Sequence, residues 1–190
     1  MRNSEMISVI VPFHDEKENL PVLIPSLETA LKELGTSYEI ILVDDGSLDN
    51  YRDVLQPHLS ATVKLVVMNR QMGKGKALTD GIQSSTGDII VFMDADLQDD
   101  PGDLKAFFTK LTREGYDLVN GHRFDRKDNA VIKIYSKIAG YFLRNHLNSP
   151  FSDINCGFKM FRRTILDDVS LYGNNFRFLP LAAFYEGYKV

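Results

Sequence analysis

An α/β fold built on a mostly parallel central sheet is predicted by three observations. Short, continuously apolar runs recur at 6–11, 38–43, 63–68 and 89–93, stretches with helical apolar spacing separate them, and several runs end in acidic or glycine-containing turns. Strands that are apolar throughout, instead of alternating, belong to sheets covered on both faces. Their alternation with helices implies parallel βαβ units in one layered domain flanked by helices.

Each element follows from local pattern. After the first strand at 6–11, Leu20, Leu23, Ile24, Leu27, Leu31 and Leu34 recur at helical spacing until Gly35 stops the helix. The run 38–43 enters Asp44-Asp45-Gly46-Ser47 and a short helix over about 51–59. The run 63–68 precedes Gly73 and a helix ending near Gly87, and 89–93 makes the fourth strand. Pro101 suits the first turn of a helix reaching about Glu114, because the N–H it lacks has no intrahelical partner there. Residues 118–120 supply a further short strand. Beyond Gly121 the pattern predicts a helix over about 131–146, a loop through Pro150, an extended stretch at 157–161 and mixed segments, the last of them a strand at 187–190. No internal repeat, low-complexity tract or linker divides the 190 residues, so a single domain is expected.

Composition narrows the function classes. With 44% hydrophobic and 25% charged residues the chain is ordinary for a globular fold. Its longest apolar runs fall far short of the roughly 20 residues that a membrane-spanning helix needs, and the N-terminus lacks the pattern of a signal peptide. Cys156 is the only cysteine, and His14, His58, His122 and His146 show no metal-ligand spacing, so neither a disulfide framework nor a zinc knuckle is expected. Together these features fit a soluble fragment in a reducing cytoplasm. The net charge of -4 argues against general nucleic-acid binding. That charge is uneven: residues 1–120 hold 11 Lys and Arg against 20 Asp and Glu, whereas residues 121–190 hold 11 against 6. Arg123, Arg126, Lys127, Lys133, Lys137 and Arg144 form a basic stretch that suits an anionic substrate, an acidic membrane surface or simply a solvated helix face.

Ile89-Ile90-Val91-Phe92-Met93-Asp94-Ala95-Asp96-Leu97-Gln98 is the most informative stretch, because an apolar strand ends in two carboxylates one residue apart. Mg²⁺ and Mn²⁺ prefer oxygen ligands and commonly take one or two protein carboxylates together with substrate phosphates. A divalent cation bridging to a nucleoside diphosphate is therefore the chemistry this strand end offers, against the plainer alternative of two solvated turn residues. Open parallel sheets bind ligands beyond the carboxyl ends of their strands. The segments 12–16, 44–47 and 94–98 should accordingly meet at one crevice.

Several further motifs occur in order: Ser8-Val9-Ile10-Val11-Pro12-Phe13-His14-Asp15-Glu16 with Asn19-Leu20, Val43-Asp44-Asp45-Gly46-Ser47, Gly73-Lys74-Gly75-Lys76-Ala77-Leu78, and Met93-Asp94-Ala95-Asp96-Leu97-Gln98 with Pro101. Asn120-Gly121-His122-Arg123, Asp153-Ile154-Asn155-Cys156-Gly157-Phe158-Lys159, Leu171-Tyr172-Gly173 and Arg177-Phe178-Leu179-Pro180 follow. In this order they resemble the family 2 glycosyltransferases of GT-A fold, in the branch of dolichyl-phosphate mannose synthases and undecaprenyl-phosphate glycosyltransferases. Over nearly the whole chain, the resemblance implies a nucleotide-sugar-binding part at 1–120 and an acceptor-binding part at 121–190 that is truncated at its C-terminus.

The same resemblance implies site residues. Pro12, His14 and Glu16 would lie beside the base or ribose and Asp45 at a base nitrogen, with Asp44 supporting that loop. N-capping of the next helix is the structural alternative for the two acids. The segment led by Lys74 would sit near the diphosphate, with Asp94 and Ala95 contacting the donor and Asp94, Asp96 and Gln98 reaching Mg²⁺ or Mn²⁺. Arg123, Arg126, Lys133 and Ser136 would hold the acceptor phosphate. Asp94, Asp96, Arg123 and Asp153 are the candidate catalytic residues, Asp153 having an alternative role in fixing its loop. Relatives that glycosylate a sugar hydroxyl often carry a Glu-Asp pair where this chain has Asn174-Asn175. A phosphate acceptor accounts for that difference, since it is already anionic and needs little general-base help. The implied reaction is an inverting, metal-dependent transfer from a UDP-sugar or GDP-mannose to a polyprenyl phosphate at the cytoplasmic face of a membrane, for cell-envelope glycan or glycolipid synthesis. The membrane would be reached through segments outside this chain, and a homo-oligomer is compatible with it. Transfer to a saccharide or protein hydroxyl and a non-catalytic nucleotide-sugar-binding module are the alternatives. A phosphorelay receiver is disfavoured, because its acidic pair follows the first strand and Asp44-Asp45 follows the second. The P-loop spacing is absent around Gly73-Lys74.

Overall fold

Each apolar run becomes a strand, and most are covered on both faces. The computed structural model describes residues 5–121 and 156–190. β1 (Ile7–Phe13) is buried at every residue and β2 (Tyr38–Asp44) at all but its first. β3 (Val63–Val67) is partly exposed at one sheet edge, and β4 (Ile89–Phe92) is wholly buried. β5 (Leu118–Asn120) and β6 (Lys159–Arg162) complete a six-stranded sheet in the order β3-β2-β1-β4-β6-β5. The first four strands run parallel, as their apolar character predicts. β6, expected only as an extended stretch at 157–161, enters antiparallel between β4 and β5.

Helices cover both faces, and the alternation of side chains along each strand sorts the core into two layers. Val9, Val11, Leu42, Val91 and Met160 pack towards α1 (Leu20–Glu33), α2 (Tyr51–Leu55) and α4 (Leu104–Arg113). Ile10, Ile41, Ile90, Phe92 and Phe161 face α3 (Lys74–Gln83), α5 (Ile165–Asp168) and α6 (Leu179–Tyr185). Phe92 and Phe161 meet edge-on there, with centroids 5.0 Å apart, the arrangement favoured by the ring quadrupoles.

Three boundaries differ from the sequence expectation. The helix at 51–59 is α2 followed by a 3₁₀ turn, Gln56–His58, where Pro57 lacks the N–H to continue. α3 stops at Gln83 instead of reaching Gly87, and the N–H of Thr86 goes to Glu39 Oε1 at 2.6 Å. The final residues are not a strand: Gly187 turns the chain with φ +91°, and Lys189 alone pairs with the start of β5, accepting from the Asp117 and Leu118 N–H groups at 2.8 and 3.3 Å. The helix expected over 131–146 lies outside the described residues.

The amino-terminal end of the sheet is closed by a polar network far from the strand ends that carry the acidic motifs. Buried Glu39 accepts from Ser8 Oγ at 2.8 Å, Thr86 Oγ1 at 3.0 Å and Lys64 Nζ at 2.7 Å. Burial pushes its carboxyl up, but Lys64, the Thr86 N–H and the two hydroxyls outweigh that and hold it at about 2. Arg163, leaving β6, donates to Gly87 O at 2.6 Å and Ser85 Oγ at 2.8 Å.

Candidate active site

Pairing ends at the carboxyl termini of β1, β2 and β4, and the released segments reach one another through short side-chain contacts. Pro12 is buried in register with Val43. His14 follows, and its Nδ1 donates to the Asp45 carbonyl at 2.9 Å, while Nε2 lies 3.5 Å from Asp15 Oδ2. Asp15 has φ +56°, an uncommon conformation for a non-glycine residue. Its Oδ1 accepts from the N–H groups of Leu48 and Asp49 at 2.7 and 3.1 Å, and these backbone bonds hold its carboxyl below the usual range. Glu16 turns to its own helix start, accepting from Asn19 Nδ2 at 2.5 Å.

The paired acids at the end of β2 divide their work. Asp44 takes the Ser47 N–H at 2.7 Å and the Tyr51 hydroxyl at 2.7 Å. Burial and that carboxylate push the Tyr51 phenol up to about 12. Asp45 accepts from the Met72 N–H at 2.7 Å and from the Gly73 N–H at 3.0 and 3.1 Å. The N-cap position of α2 is Asn50, with no side-chain cap bond, so neither acid serves as the cap. Asp44 instead braces its own turn, and Asp45 pins the segment that leads into α3.

That segment delivers Lys74, the first residue of α3, to the end of β4. Its ammonium forms an ion pair with Asp94 Oδ1 and lies 5.4 Å from the centroid of the Phe176 ring. The loop before Phe176 is drawn close because Gly75 has no side chain: a Cβ there would stand 1.6 Å from Gly173 O. Gly157 also lies close to this carboxylate: a Cβ there would stand 2.6 Å from Oδ2 and 3.1 Å from Oδ1. Asp94 thus has a cation and a glycine without side chain as neighbours.

Ala95 is buried at 4% exposure, Asp96 is partly exposed and Gln98 is exposed. Asp96 Oδ1 accepts the Gln98 N–H at 3.1 Å across Leu97, whose φ is +59°. Two partly accessible carboxylates and an amide, all hard oxygen donors, fit Mg²⁺ or Mn²⁺ held jointly with substrate phosphates. Among the described residues no group of three His, Cys, Asp or Glu could hold a metal by itself.

The structure therefore links His14 to Asp45, Asp45 to the backbone before Lys74, and Lys74 to Asp94. Arg123, Arg126, Lys133, Ser136 and Asp153 lie outside the described residues. Asp15, Tyr51, Gly157 and Phe176 enter the site without having been singled out individually. Asp15 and Gly157 stood within recognised motifs, but local sequence carries no sign that one bridges to the next loop and the other touches Asp94.

The fold is that of the GT-A glycosyltransferases. It superposes on glucosyl-3-phosphoglycerate synthase from Mycobacterium tuberculosis, crystallised with Mn²⁺, uridine diphosphate and phosphoglyceric acid, with a TM-score of 0.76 at 22% identity, covering 96% of this chain and 65% of that one. The chain belongs to the glycosyl transferase family 2, whose family model matches residues 8–170. It is 31% identical over 182 residues to the undecaprenyl-phosphate 4-deoxy-4-formamido-L-arabinose transferase of Pseudomonas syringae pv. syringae, and 34% identical over 182 residues to that of Serratia proteamaculans. These matches cover 94% and 93% of this chain and 54% and 55% of the relatives, so the chain spans about half their length. Among the described residues no helix is long and apolar enough to cross a membrane.

Proposed function

We propose that this chain carries the donor site of an inverting transferase that moves a sugar from a nucleoside diphosphate sugar to a polyprenyl phosphate at a membrane surface. The Lys74–Asp94 pair is the observation that carries this reading, because it sets a cation at the N-terminus of α3 beside the strand-end carboxylates. That is where helix-end N–H groups and an ammonium would best receive a diphosphate. The relatives' names supply the acceptor class.

In this scheme Asp94, Asp96 and Gln98 would hold Mg²⁺ or Mn²⁺, and the bound ion would supply positive charge against the leaving diphosphate. Lys74 contributes charge at the same place, and contact with Phe176 and Asp94 limits its motion. Asp45 keeps the Met72–Gly73 backbone in position, and Pro12, His14 and Glu16 line the nucleoside side. Arg123, Arg126, Lys133 and Ser136 receive the acceptor phosphate, while Asp153 orients the acceptor side. An anionic phosphate oxygen attacks the anomeric carbon in line, with inversion, so alignment and charge stabilisation carry the catalysis.

The test incubates full-length protein in detergent with Mn²⁺, undecaprenyl phosphate and a panel of UDP- and GDP-sugars. Nucleoside diphosphate release that requires the lipid, together with a lipid product heavier by one sugar, is expected. Release without lipid would point to a different acceptor, and binding without release to a non-catalytic module. Arg123→Ala should impair lipid use more than donor binding; equal losses would contradict its placement.

A further inference from the structure

We propose that Lys159 is a positioning residue for Asp94, acting through the turn formed by Cys156 and Gly157. It rests on the donor-site reading above and adds to it a residue that reaches Asp94 through a different segment from Lys74. Lys159 is a lysine at 1% exposure in the first position of β6. Its register partners are Phe92, the last residue of β4, and Asn120, the last of β5. Its backbone therefore stands at the carboxyl end of the sheet, two residues from Asp94 across the ladder.

The ammonium turns back to donate to the Cys156 carbonyl. This closes the Cys156-Gly157-Phe158 turn from within, and the Gly121 N–H fixes its far end by donating to Phe158 O at 2.9 Å. Phe158 in turn stacks on Phe107 of α4, with centroids 4.4 Å apart. The turn is thus held at both ends, and its middle residue is the one at which an added Cβ would stand 2.6 Å from Asp94 Oδ2. Lys74 draws one carboxylate oxygen, and the closeness of Gly157 limits the room around the carboxylate. A burial this deep is expensive for an ammonium unless bonded. The bond shown here fixes the peptide that borders the candidate metal ligand. Partners that orient a metal ligand typically change metal affinity by about 10- to 100-fold when lost.

Lys159→Met keeps the side-chain length and removes the donor. Ligand-free crystal structures of the variant and the parent should show the 156–157 turn displaced and the Lys74–Asp94 contact opened; an unmoved turn overturns the proposal. Titration of the full-length protein with UDP and GDP, with and without Mn²⁺, should show Mn²⁺-supported affinity falling about tenfold or more, while affinity without Mn²⁺ is unchanged. Equal losses in both conditions would assign Lys159 a general structural role and overturn the proposal. Lys159→Gln, which retains an N–H donor, should restore the Mn²⁺-supported component. Gly157→Ala leaves Lys159 intact and pushes on Asp94 directly, and it must reproduce the same metal-selective loss. A parent protein that binds neither nucleotide with Mn²⁺ would sink the donor-site reading, and the crystallographic comparison would still decide the role of Lys159.

Discussion

Lys74 and Asp94 show how much a single pair can decide, because each is held from several directions and neither is deeply buried. Removing Lys74 should cost a nucleoside diphosphate one charge-assisted contact, about 1.5–3 kcal/mol, so Lys74→Ala is expected to weaken UDP or GDP binding by roughly 10- to 100-fold in a calorimetric titration. Asp96 is a different case. It is partly exposed and bonds only within its own turn among the described contacts, so Asp96→Ala should abolish Mn²⁺-dependent nucleotide binding. The urea unfolding free energy should move by about 0.5 kcal/mol or less. Unchanged nucleotide affinity with Mn²⁺ present would refute the metal assignment. At this scale the sequence showed which acids stand at strand ends, because Asp-x-Asp after an apolar run is a local pattern. It did not show that Asp45 grips the N–H groups of Met72 and Gly73, since nothing near Asp45 encodes which distant loop will reach it.

Strands and their connections were legible in proportion to how local their causes are. β1, β2, β3 and β4 stand out because a strand covered on both faces must be apolar at successive positions. β6 reads only as an extended stretch, since Lys159 and Arg162 interrupt its apolar run and its insertion between β4 and β5 depends on pairing across the chain. Glu39, a charged residue inside the otherwise apolar β2, is the centre of a network joining β1, β2, β3 and the turn before β4. Its folded carboxyl lies at about 2 against an ordinary 4.5. A depressed value means that its contribution, on the order of 3 kcal/mol, is fully present above the unfolded value and is lost as pH falls towards the folded one. Urea denaturation should therefore show stability declining between about pH 4.5 and pH 2. Glu39→Gln should flatten that part of the profile, and an unaltered slope would remove Glu39 as its cause.

Across the molecule, one sheet carries residues from both parts that the sequence suggested for donor and acceptor. Residues 159–162 lie inside it, next to β4, and Arg163 ties the segment after β6 to the loop before β4. Phe161, wholly buried against Phe92, sits at the junction. Phe161→Ala is expected to cost about 3–5 kcal/mol and to lower stability in one transition, seen alike by far-ultraviolet circular dichroism and by tyrosine fluorescence. Two separated transitions would show that the region around β6 folds independently. The pairing of Asn120 with Lys159 has a further consequence. Opposed residues of an antiparallel ladder stand only about 5 Å apart, so the chain leaves the sheet and returns to it at almost the same point. The Cys156–Phe158 turn beside Asp94 belongs to the framework that must be kept, whereas the sequence between Gly121 and Cys156 can change without altering the register of any other strand. On the proposed reading, a lineage could change its acceptor by replacing that inner stretch alone.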